Sequence, residues 1–282
     1  MDFRTHPITG EPILSAPARA RRPRAFGEAS EERCPFCPEH ESDTPPEIMR
    51  TGDPWRVRVF PNKYPPVEGA EVIVESPVHD DTFHAIAHAE EVVRTYADRY
   101  RAHERAAYVS IFKNEGTRAG ASIPHIHSQV VPLPFVPPRI ARESAAFAQA
   151  PHCPLCRPEG NAIAENESFL WLTPATSAMP YQQWIVPRRH VEEISRFTGK
   201  EQHDLAEMLH AAAAATSTLS PAFNWMLMNF PRQRAAHFYI DLFPRLTVIA
   251  GFELGTGTFI EIVDPADAAR RVVEASSRRV VE

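Results

Sequence analysis

The chain has 282 residues, of which 43% are hydrophobic and 23% charged, and its formal net charge is −6. This composition is typical of a soluble globular protein with one or two domains, and the negative charge argues against a nucleic-acid partner. The sequence contains no apolar run as long as a membrane span, and its Arg-rich start lacks the apolar core of a signal peptide. We therefore expect no membrane association and a cytoplasmic location.

The first recognisable elements follow a Cys34-Pro-Phe-Cys37 pair. Residues 55–60 and 71–75 are rich in β-branched residues and predict a hairpin of two strands. Residues 82–103 carry apolar side chains at roughly helical spacing, and residues 108–112 predict a further apolar strand. This order of strands and helix indicates an α+β unit.

The next stretch, residues 114–129, is the most informative in the chain. His125, His127 and Gln129 stand two apart, and side chains at this spacing on a strand share one face. The run before them contains small and polar residues suited to close backbone approach to an anion. These residues are Asn114, Gly116, Gly120 and Ser122. Two imidazoles beside such a loop favour phosphorus chemistry.

The second half repeats this order. After Cys153-Pro-Leu-Cys156, residues 168–172 and 182–187 predict a hairpin, residues 190–219 a helix, and residues 223–229 a strand that leads towards His237. We interpret the repeat as a tandem duplication, with one half at residues 1–149 and the other at 150–282. Each half is expected to be a mostly antiparallel sheet with one main helix, which is an α+β fold.

Each half also repeats a pair of cysteines and two later histidines. Structural zinc is usually held by four Cys or His ligands, and CxxC is a common arm of such sites. The predicted zinc ligands are Cys34, Cys37, His79 and His125 in the first half, and Cys153, Cys156, His190 and His237 in the second. The alternatives are a redox-active CxxC or unrelated buried residues. His40 and His152 lie near the cysteines but do not fit the repeat.

These motifs together resemble the galactose-1-phosphate uridylyltransferase family of the histidine-triad superfamily over nearly the whole length. The resemblance rests on the opening Arg4-x-x-Pro7-Ile-Thr-Gly10, on Glu75-Ser-Pro-Val-His79, on the 114–129 stretch and on Gly251-Phe-Glu253. It implies ping-pong nucleotidyl transfer from a nucleoside diphosphate sugar to a phosphate or sugar-phosphate acceptor. It also implies a homodimer.

The resemblance further implies site residues. His127 would be the nucleophile, since a neutral imidazole is nucleophilic at neutral pH, and His125 a zinc ligand. Gln129 stands where histidine-triad hydrolases carry a third histidine, which favours transfer over hydrolysis. The implied substrate-binding residues are Arg19, Arg22, Asn62, Asn114, Gly120, Ser122 and Glu253. The alternatives are a solvated basic stretch for the arginines and a capping role for Glu253.

The second half departs from the motif, because Tyr239 and Asp241 stand where the nucleophile and the glutamine would be. That half is expected to bind metal without doing chemistry. Lys63 follows Asn62 where galactose-pathway enzymes usually have an acidic residue, so the chain also resembles ADP-glucose phosphorylase-like members, which use inorganic phosphate. Uridylyl transfer, adenylyl transfer to phosphate, dinucleotide hydrolysis and a non-catalytic zinc and nucleotide-binding module stay open as functions.

Overall fold

The computed structural model describes residues 2–17, 19 and 34–277. Two short strands, β1 (Asp2–Thr5) and β2 (Pro12–Ser15), form a separate antiparallel hairpin. The main sheet has ten strands: β3 (Met49–Thr51), β4 (Val57–Pro61), β5 (Glu71–Val74), β6 (Tyr108–Glu115), β7 (His127–Leu133), β8 (Gly160–Glu165), β9 (Phe169–Pro174), β10 (Gln183–Pro187), β11 (Phe223–Met228) and β12 (Tyr239–Pro244). The helices are α1 (Ala89–Ala102), α2 (Pro138–Gln149), α3 (Gly199–Leu219), α4 (Gly251–Thr256) and α5 (Pro265–Ser277).

The order of the strands in the sheet is symmetric about its centre. It runs β3-β4-β5-β7-β6-β11-β12-β10-β9-β8, and every neighbouring pair is antiparallel. The first five strands of the sheet along the chain therefore occupy one side, and the last five repeat their arrangement on the other. The seam is the β6–β11 pair, in which Phe112 lies opposite Met226. The predicted α+β fold with a mostly antiparallel sheet is confirmed.

The long helices α1 and α3 pack on one face of this sheet and against each other. In α1, Val92, Val93 and Tyr96 are fully buried because their helical spacing places them on one stripe. Both helices start later than predicted. Residues 82–88 and 190–198 instead form turns and short loops, and α3 begins only where Thr198 and Glu201 form a capping box.

The register of β7 decides which side chains face the helices. Ser128 lies on the helix face, since its Oγ is 2.7 Å from the hydroxyl of Tyr96 on α1. His127 and Gln129 alternate with it and face the other way. The strand begins at His127, so His125 lies just before the ladder and not within one row of three as predicted. Within the described residues, no helix is both long enough and apolar enough to cross a membrane.

Candidate functional site

The first cluster of thiols and imidazoles gathers residues from three separate loops. Cys34 and Cys37 sit in the turn before residues 38–43, His79 follows β5, and His125 precedes β7. Their ligand atoms all lie within 4.8 Å of one another. Cys34 Sγ is 3.7 Å from His125 Nδ1, and Cys37 Sγ is 3.5 Å from His79 Nδ1. Tetrahedral zinc with ordinary bond lengths places sulfur and nitrogen ligands about 3.5 Å apart.

The second cluster repeats this geometry with residues of the second half of the chain. Cys153 Sγ is 3.4 Å from His237 Nδ1, and Cys156 Sγ is 3.3 Å from His190 Nδ1. These four ligand atoms also lie within 4.8 Å of one another. Neither His40 nor His152 belongs to either cluster. The two groups predicted from sequence spacing are therefore brought together, and each is a donor set that could hold a metal ion.

The orientation of the rings also suits metal binding. His125 Nε2 donates to the carbonyl oxygen of Ser76 at 2.6 Å, and His237 Nε2 donates to that of Pro187 at 2.9 Å. A carbonyl can only accept, so each ring is protonated on Nε2 and turns the lone pair of Nδ1 towards the thiols. Such hydrogen bonds to the remote nitrogen are typical of metal-ligating histidines.

Burial favours the uncharged forms of His125, His237 and Cys37. It lowers the pKa of His125, and it lowers the pKa of His237 to about 4. Burial and the neighbouring Cys34 raise the pKa of Cys37 to about 11. A divalent cation reverses this preference, because a coordinating thiol is deprotonated outright. The chemistry of the donor set thus fits zinc.

His127 is next to the first cluster in the chain, and its ring is hydrogen-bonded to the backbone of one cluster member, His125. Its Nδ1 donates to the carbonyl oxygen of His125 at 2.8 Å, and the side chain is 4% exposed. The neutral ring is therefore protonated on Nδ1 and carries its lone pair on Nε2. The edge-to-face contact with Phe36, with ring centroids 5.3 Å apart, further limits rotation of the imidazole. The backbone of a candidate metal ligand thus sets the tautomer of the candidate nucleophile.

The loop between β6 and β7 has the features of an anion-binding loop. Gly116 and Gly120 have φ of +74° and +92°, a region that side chains other than glycine rarely adopt. A Cβ on Gly116 would lie 3.1 Å from the carbonyl oxygen of Pro221. Ser122 is 8% exposed, and its Oγ is buried without a hydrogen-bond partner. An orphaned hydroxyl costs stability unless a ligand satisfies it.

Asn114, at the end of β6, is held by the other half of the chain. Asn224 on β11 donates from Nδ2 to Asn114 Oδ1 at 2.7 Å, and to the carbonyl oxygen of Ala119 at 2.9 Å. Sequence reasoning did not identify Asn224, because it lies in an apolar strand of the second half. Its role becomes visible only from the pairing of β6 with β11.

Two more predicted residues meet at the turn between β4 and β5. Asn62 Oδ1 accepts from the backbone N–H of Tyr64 at 2.8 Å, and Arg19 Nη1 donates to the carbonyl oxygen of Tyr64, also at 2.8 Å. Burial lowers the pKa of Arg19. Arg22 lies outside the described residues.

Glu253 is on a different element from the other predicted residues. It lies in the first turn of α4, where its carboxylate accepts from the backbone N–H of Ala250 at 3.1 Å. The same side chain lines a cavity together with Met179, Phe259 and Ile260. Glu253 therefore caps its own helix and also faces open space.

The corresponding face of the second half is covered by α2. Arg139 on this helix donates to Tyr239 Oη at 3.2 Å and to Asp241 Oδ2 at 2.8 Å, and Tyr239 donates to Glu143 at 2.9 Å. Gln182 completes the group by donating to Asp241 at 2.6 Å. Sequence reasoning missed Arg139 and Glu143, although their four-residue separation on a helix was a readable signal.

Comparison with known proteins shows that this chain is similar to several enzymes over nearly its whole length. An ADP-glucose phosphorylase of Arabidopsis thaliana is 28% identical over 98% of this chain and 93% of the relative. A galactose-1-phosphate uridylyltransferase of Thermotoga maritima is 28% identical over 97% of this chain and 98% of the relative. The crystal structure of an ADP-glucose phosphorylase from Arabidopsis thaliana with bound ADP-glucose covers 97% of this chain and 98% of that chain, at 28% identity and a TM-score of 0.79.

These matches confirm the resemblance inferred from the motifs. A family described as "Domain of unknown function (DUF4921)" matches residues 80–280, which is more than half of the sequence. The chain therefore belongs to the DUF4921 family.

Proposed function

We propose that this protein is a nucleotidyltransferase that acts on a nucleoside diphosphate sugar through a covalent nucleotidyl-His127. The observation that carries the proposal is the His127 ring, whose Nδ1–H is held by the His125 carbonyl so that the lone pair lies on Nε2. The loop beside it offers the unpartnered hydroxyl of Ser122. The similarity to an ADP-glucose phosphorylase and to galactose-1-phosphate uridylyltransferases supports the same reaction class.

The first step forms one bond and breaks one. The lone pair of His127 Nε2 attacks the α-phosphorus, and the bond from this phosphorus to the bridging oxygen breaks, so that sugar phosphate leaves with the electron pair. The leaving group is a weak base and needs no strong acid. Positive charge that develops on the ring is stabilised by the hydrogen bond from Nδ1 to the His125 carbonyl. Gln129 can donate to a non-bridging oxygen as its charge grows.

In the second step an oxygen of the acceptor phosphate attacks the same phosphorus, and the bond to Nε2 breaks to restore neutral His127. A sugar 1-phosphate as acceptor would make the protein a hexose-1-phosphate uridylyltransferase. Inorganic phosphate as acceptor would make it an ADP-sugar phosphorylase. The second reading is supported by the solved relative with bound ADP-glucose and by Lys63, which follows Asn62 where galactose-pathway enzymes usually have an acidic residue.

The substrate would be held by residues around this row. We infer that Ser122 and Gly120 contact phosphate, that Asn114 and Asn62 contact the nucleoside, and that Arg19 and Arg22 supply positive charge. Glu253 would accept from a sugar hydroxyl. The segment that connects β12 to Glu253 begins next to the anion-binding loop, because Arg118 Nη2 in that loop donates to the carbonyl oxygen of Leu246 at 3.2 Å.

Two zinc ions per chain would occupy the two Cys/His clusters. When bound, zinc supplies structural cross-linking: in the first half it would tie the 34–37 turn and the loop after β5 to the residue that sets the tautomer of His127. The second site would stabilise the non-catalytic half. The division of the chain into halves at residues 1–149 and 150–282 belongs to this proposal.

A homodimer is the assembly that fits the surface. Large apolar side chains are exposed along one short segment at the C-terminal side. They are Val248, Phe252, Leu254, Phe259, Ile260 and Ile262. We expect a second copy of the chain to cover them. The four free thiols in metal-binding arrangement suit a reducing compartment such as the cytoplasm.

Incubation with α-³²P-labelled UDP-glucose and ADP-glucose tests the function. The expected result is acid-labile, base-stable label on the protein, lost in His127→Gly and retained in His152→Asn, a matched change of an exposed histidine. The nucleotide that labels, crossed with sugar phosphates or inorganic phosphate as acceptor, identifies the reaction. Stable nucleotide binding without label would favour a non-catalytic module, and rapid turnover with water alone would favour a hydrolase.

A further inference from the structure

A buried cluster of charges lies under the candidate site, on the helix face of the sheet. Lys113 on β6 and Glu75, just after β5, are both 0% exposed, and Lys113 Nζ is 2.5 Å from Glu75 Oε2. Lys113 also contacts Glu115 at 3.1 Å. Burial alone would lower the pKa of Lys113, but the carboxylates of Glu115 and Glu75 raise it above its usual value. The lysine is therefore charged at neutral pH.

The cluster is bonded to the strand that carries the nucleophile. Glu75 Oε1 accepts from Ser128 Oγ at 2.5 Å and from the hydroxyl of Tyr96 at 2.6 Å. Ser128 stands between His127 and Gln129, and its Cα lies opposite that of Lys113 in the β6–β7 ladder. Because side chains alternate along a strand, a fixed Ser128 on the helix face holds both of its neighbours on the other face.

The same cluster reaches two other parts of the site through the backbone. Glu75 is followed by Ser76, whose carbonyl oxygen accepts from the metal-ligand candidate His125. The backbone N–H of Glu75 donates to the carbonyl oxygen of Ile126 at 3.2 Å, between the two histidines. Glu115 directly precedes Gly116, where the anion-binding loop begins. Lys113 and its two carboxylates thus connect the first Cys/His cluster, strand β7 and the anion-binding loop.

Stability does not account for such an arrangement. Removing charges from water costs several kcal/mol per ion, and well-packed apolar residues of the same volume are often equally stable or more stable. Buried charges can instead specify a unique register. A slip of one residue would carry His127 and Gln129 to the helix face.

We propose that Glu75 and Lys113 are positioning residues, which lock the register of β7 and so present His127 and Gln129 to the substrate. They touch no substrate, since they lie on the opposite face of the sheet. The effect on catalysis rests on the proposed function, whereas the effect on β7 does not. Misplacement of a reacting group by about 1 Å can cost about 100-fold in rate.

The test is the double variant Glu75→Gln with Lys113→Met, which removes both charges at nearly constant volume. The matched control is Glu71→Gln with Arg99→Met, which removes the neighbouring buried ion pair between β5 and α1 but not the contact with Ser128. For Glu75→Gln/Lys113→Met we expect both zinc ions to be retained and KM to change by less than about threefold. The rate of His127 labelling should fall at least about tenfold.

Hydrogen exchange gives the readout that does not need activity. Amides of residues 126–131 should exchange at least about tenfold faster in Glu75→Gln/Lys113→Met, while those of α3 keep their protection. In the control, labelling should stay as in the wild type, and any faster exchange caused by its lower global stability should affect α3 as much as residues 126–131.

Unchanged labelling with unchanged exchange would overturn the proposal. If the wild type takes no label from either nucleotide sugar, the proposed function fails, and hydrogen exchange alone then decides whether the cluster holds β7. Should the double variant not fold, Ser128→Ala carries the same test, because it removes the bond from β7 to Glu75 and leaves the Glu75–Lys113 pair intact.

Discussion

Arg139 Nη2 lies 2.8 Å from Asp241 Oδ2, so α2, the last helix of the first half, is bonded to strand β12 of the second half. Asp241 and Tyr239 on β12 occupy the positions that Gln129 and His127 occupy on β7, because β12 lies between β11 and β10 as β7 lies between β6 and β5. The surface that would face substrate in the second half is therefore filled by α2. Loss of the reactive histidine and loss of access go together there.

A first prediction concerns the stoichiometry of the covalent intermediate. Since the second half has a covered tyrosine in place of the nucleophile, label from an α-³²P nucleotide sugar should saturate at about one group per chain. Scintillation counting gives the moles of label per mole of active protein, and the intact mass of the labelled chain checks this ratio. A value near two would show that the second half also reacts.

A second prediction concerns the orphaned hydroxyl of Ser122. Ser122→Ala removes a buried group that has no partner, so the free energy of unfolding should change by less than about 0.5 kcal/mol or increase. If the hydroxyl contacts phosphate, kcat/KM should fall about tenfold or more, corresponding to roughly 1.4 kcal/mol. Ser177→Ala is the matched control, because its Oγ is also buried without a partner. Equal kinetic effects of both changes would remove Ser122 from the site.

A third prediction concerns the bond from Asn224 to Asn114 across the seam. Asn224→Ala leaves the Asn114 amide and the Ala119 carbonyl without this donor, so the loop end and the predicted nucleoside contact lose their support. We expect KM for the nucleotide sugar to rise about tenfold, with zinc content unchanged. Asn161→Ala on the edge strand β8 should leave KM as it is. An unaltered KM in Asn224→Ala would argue that Asn114 needs no support from the second half.

A fourth prediction concerns Glu71, which anchors α1 to β5. It is 3% exposed and binds Arg99 through both carboxylate oxygens, at 2.6 and 2.7 Å. Burial alone would raise its pKa, but hydrogen bonds from His103 and Arg99 hold the pKa below its usual value of 4.5. Its contribution to stability is therefore complete above about pH 4.5 and is lost as the pH falls through the lower, folded-state pKa.

Glu71→Gln should accordingly lower the free energy of unfolding by about 3–5 kcal/mol at pH 7. The gap to the wild type should narrow below about pH 4, where protonation removes the charge in the wild type as well. Urea titrations at pH 7 and pH 3.5 measure both gaps. Asp98→Asn, which affects an exposed ion pair with Arg101, should produce a small change at either pH. A gap for Glu71→Gln that does not depend on pH would contradict the assignment.

Much of the molecule follows from its sequence. The spacing of Cys and His residues predicted both Cys/His clusters, because equivalent loops of a repeated unit recur at equal intervals. Periodicity predicted the hairpin, the main helix and the next strand of each half, but it did not predict α2, α4, α5 or the edge strands β3 and β8. The helix starts were wrong because the residues after His79 form turns, those after His190 include the short 3-10 helix Ile194–Arg196, and α3 begins only at its capping box.

The remaining features depend on contacts that are distant along the chain. The partner of Arg139 is Asp241, and that of Asn114 is Asn224, each about a hundred residues away. Lys113 has the alternation of a surface lysine, but the fold surrounds it with groups from distant parts of the chain. These are Glu75 and Phe83 after β5 and Trp225 on β11, beside Glu115 of its own strand. Such pairs are specified by strand order, which local patterns do not contain.

The seam between β6 and β11 has a further consequence for how substrate gets in. Five opposed residue pairs join the two halves through the same kind of backbone ladder that joins any two strands of the sheet. A hinge motion between the halves would have to break the hydrogen bonds of this ladder. We therefore expect the two halves not to open relative to each other. Entry and exit of nucleotide would then depend on the loops at the ends of the strands. These loops would move while the continuous ten-stranded sheet stays rigid.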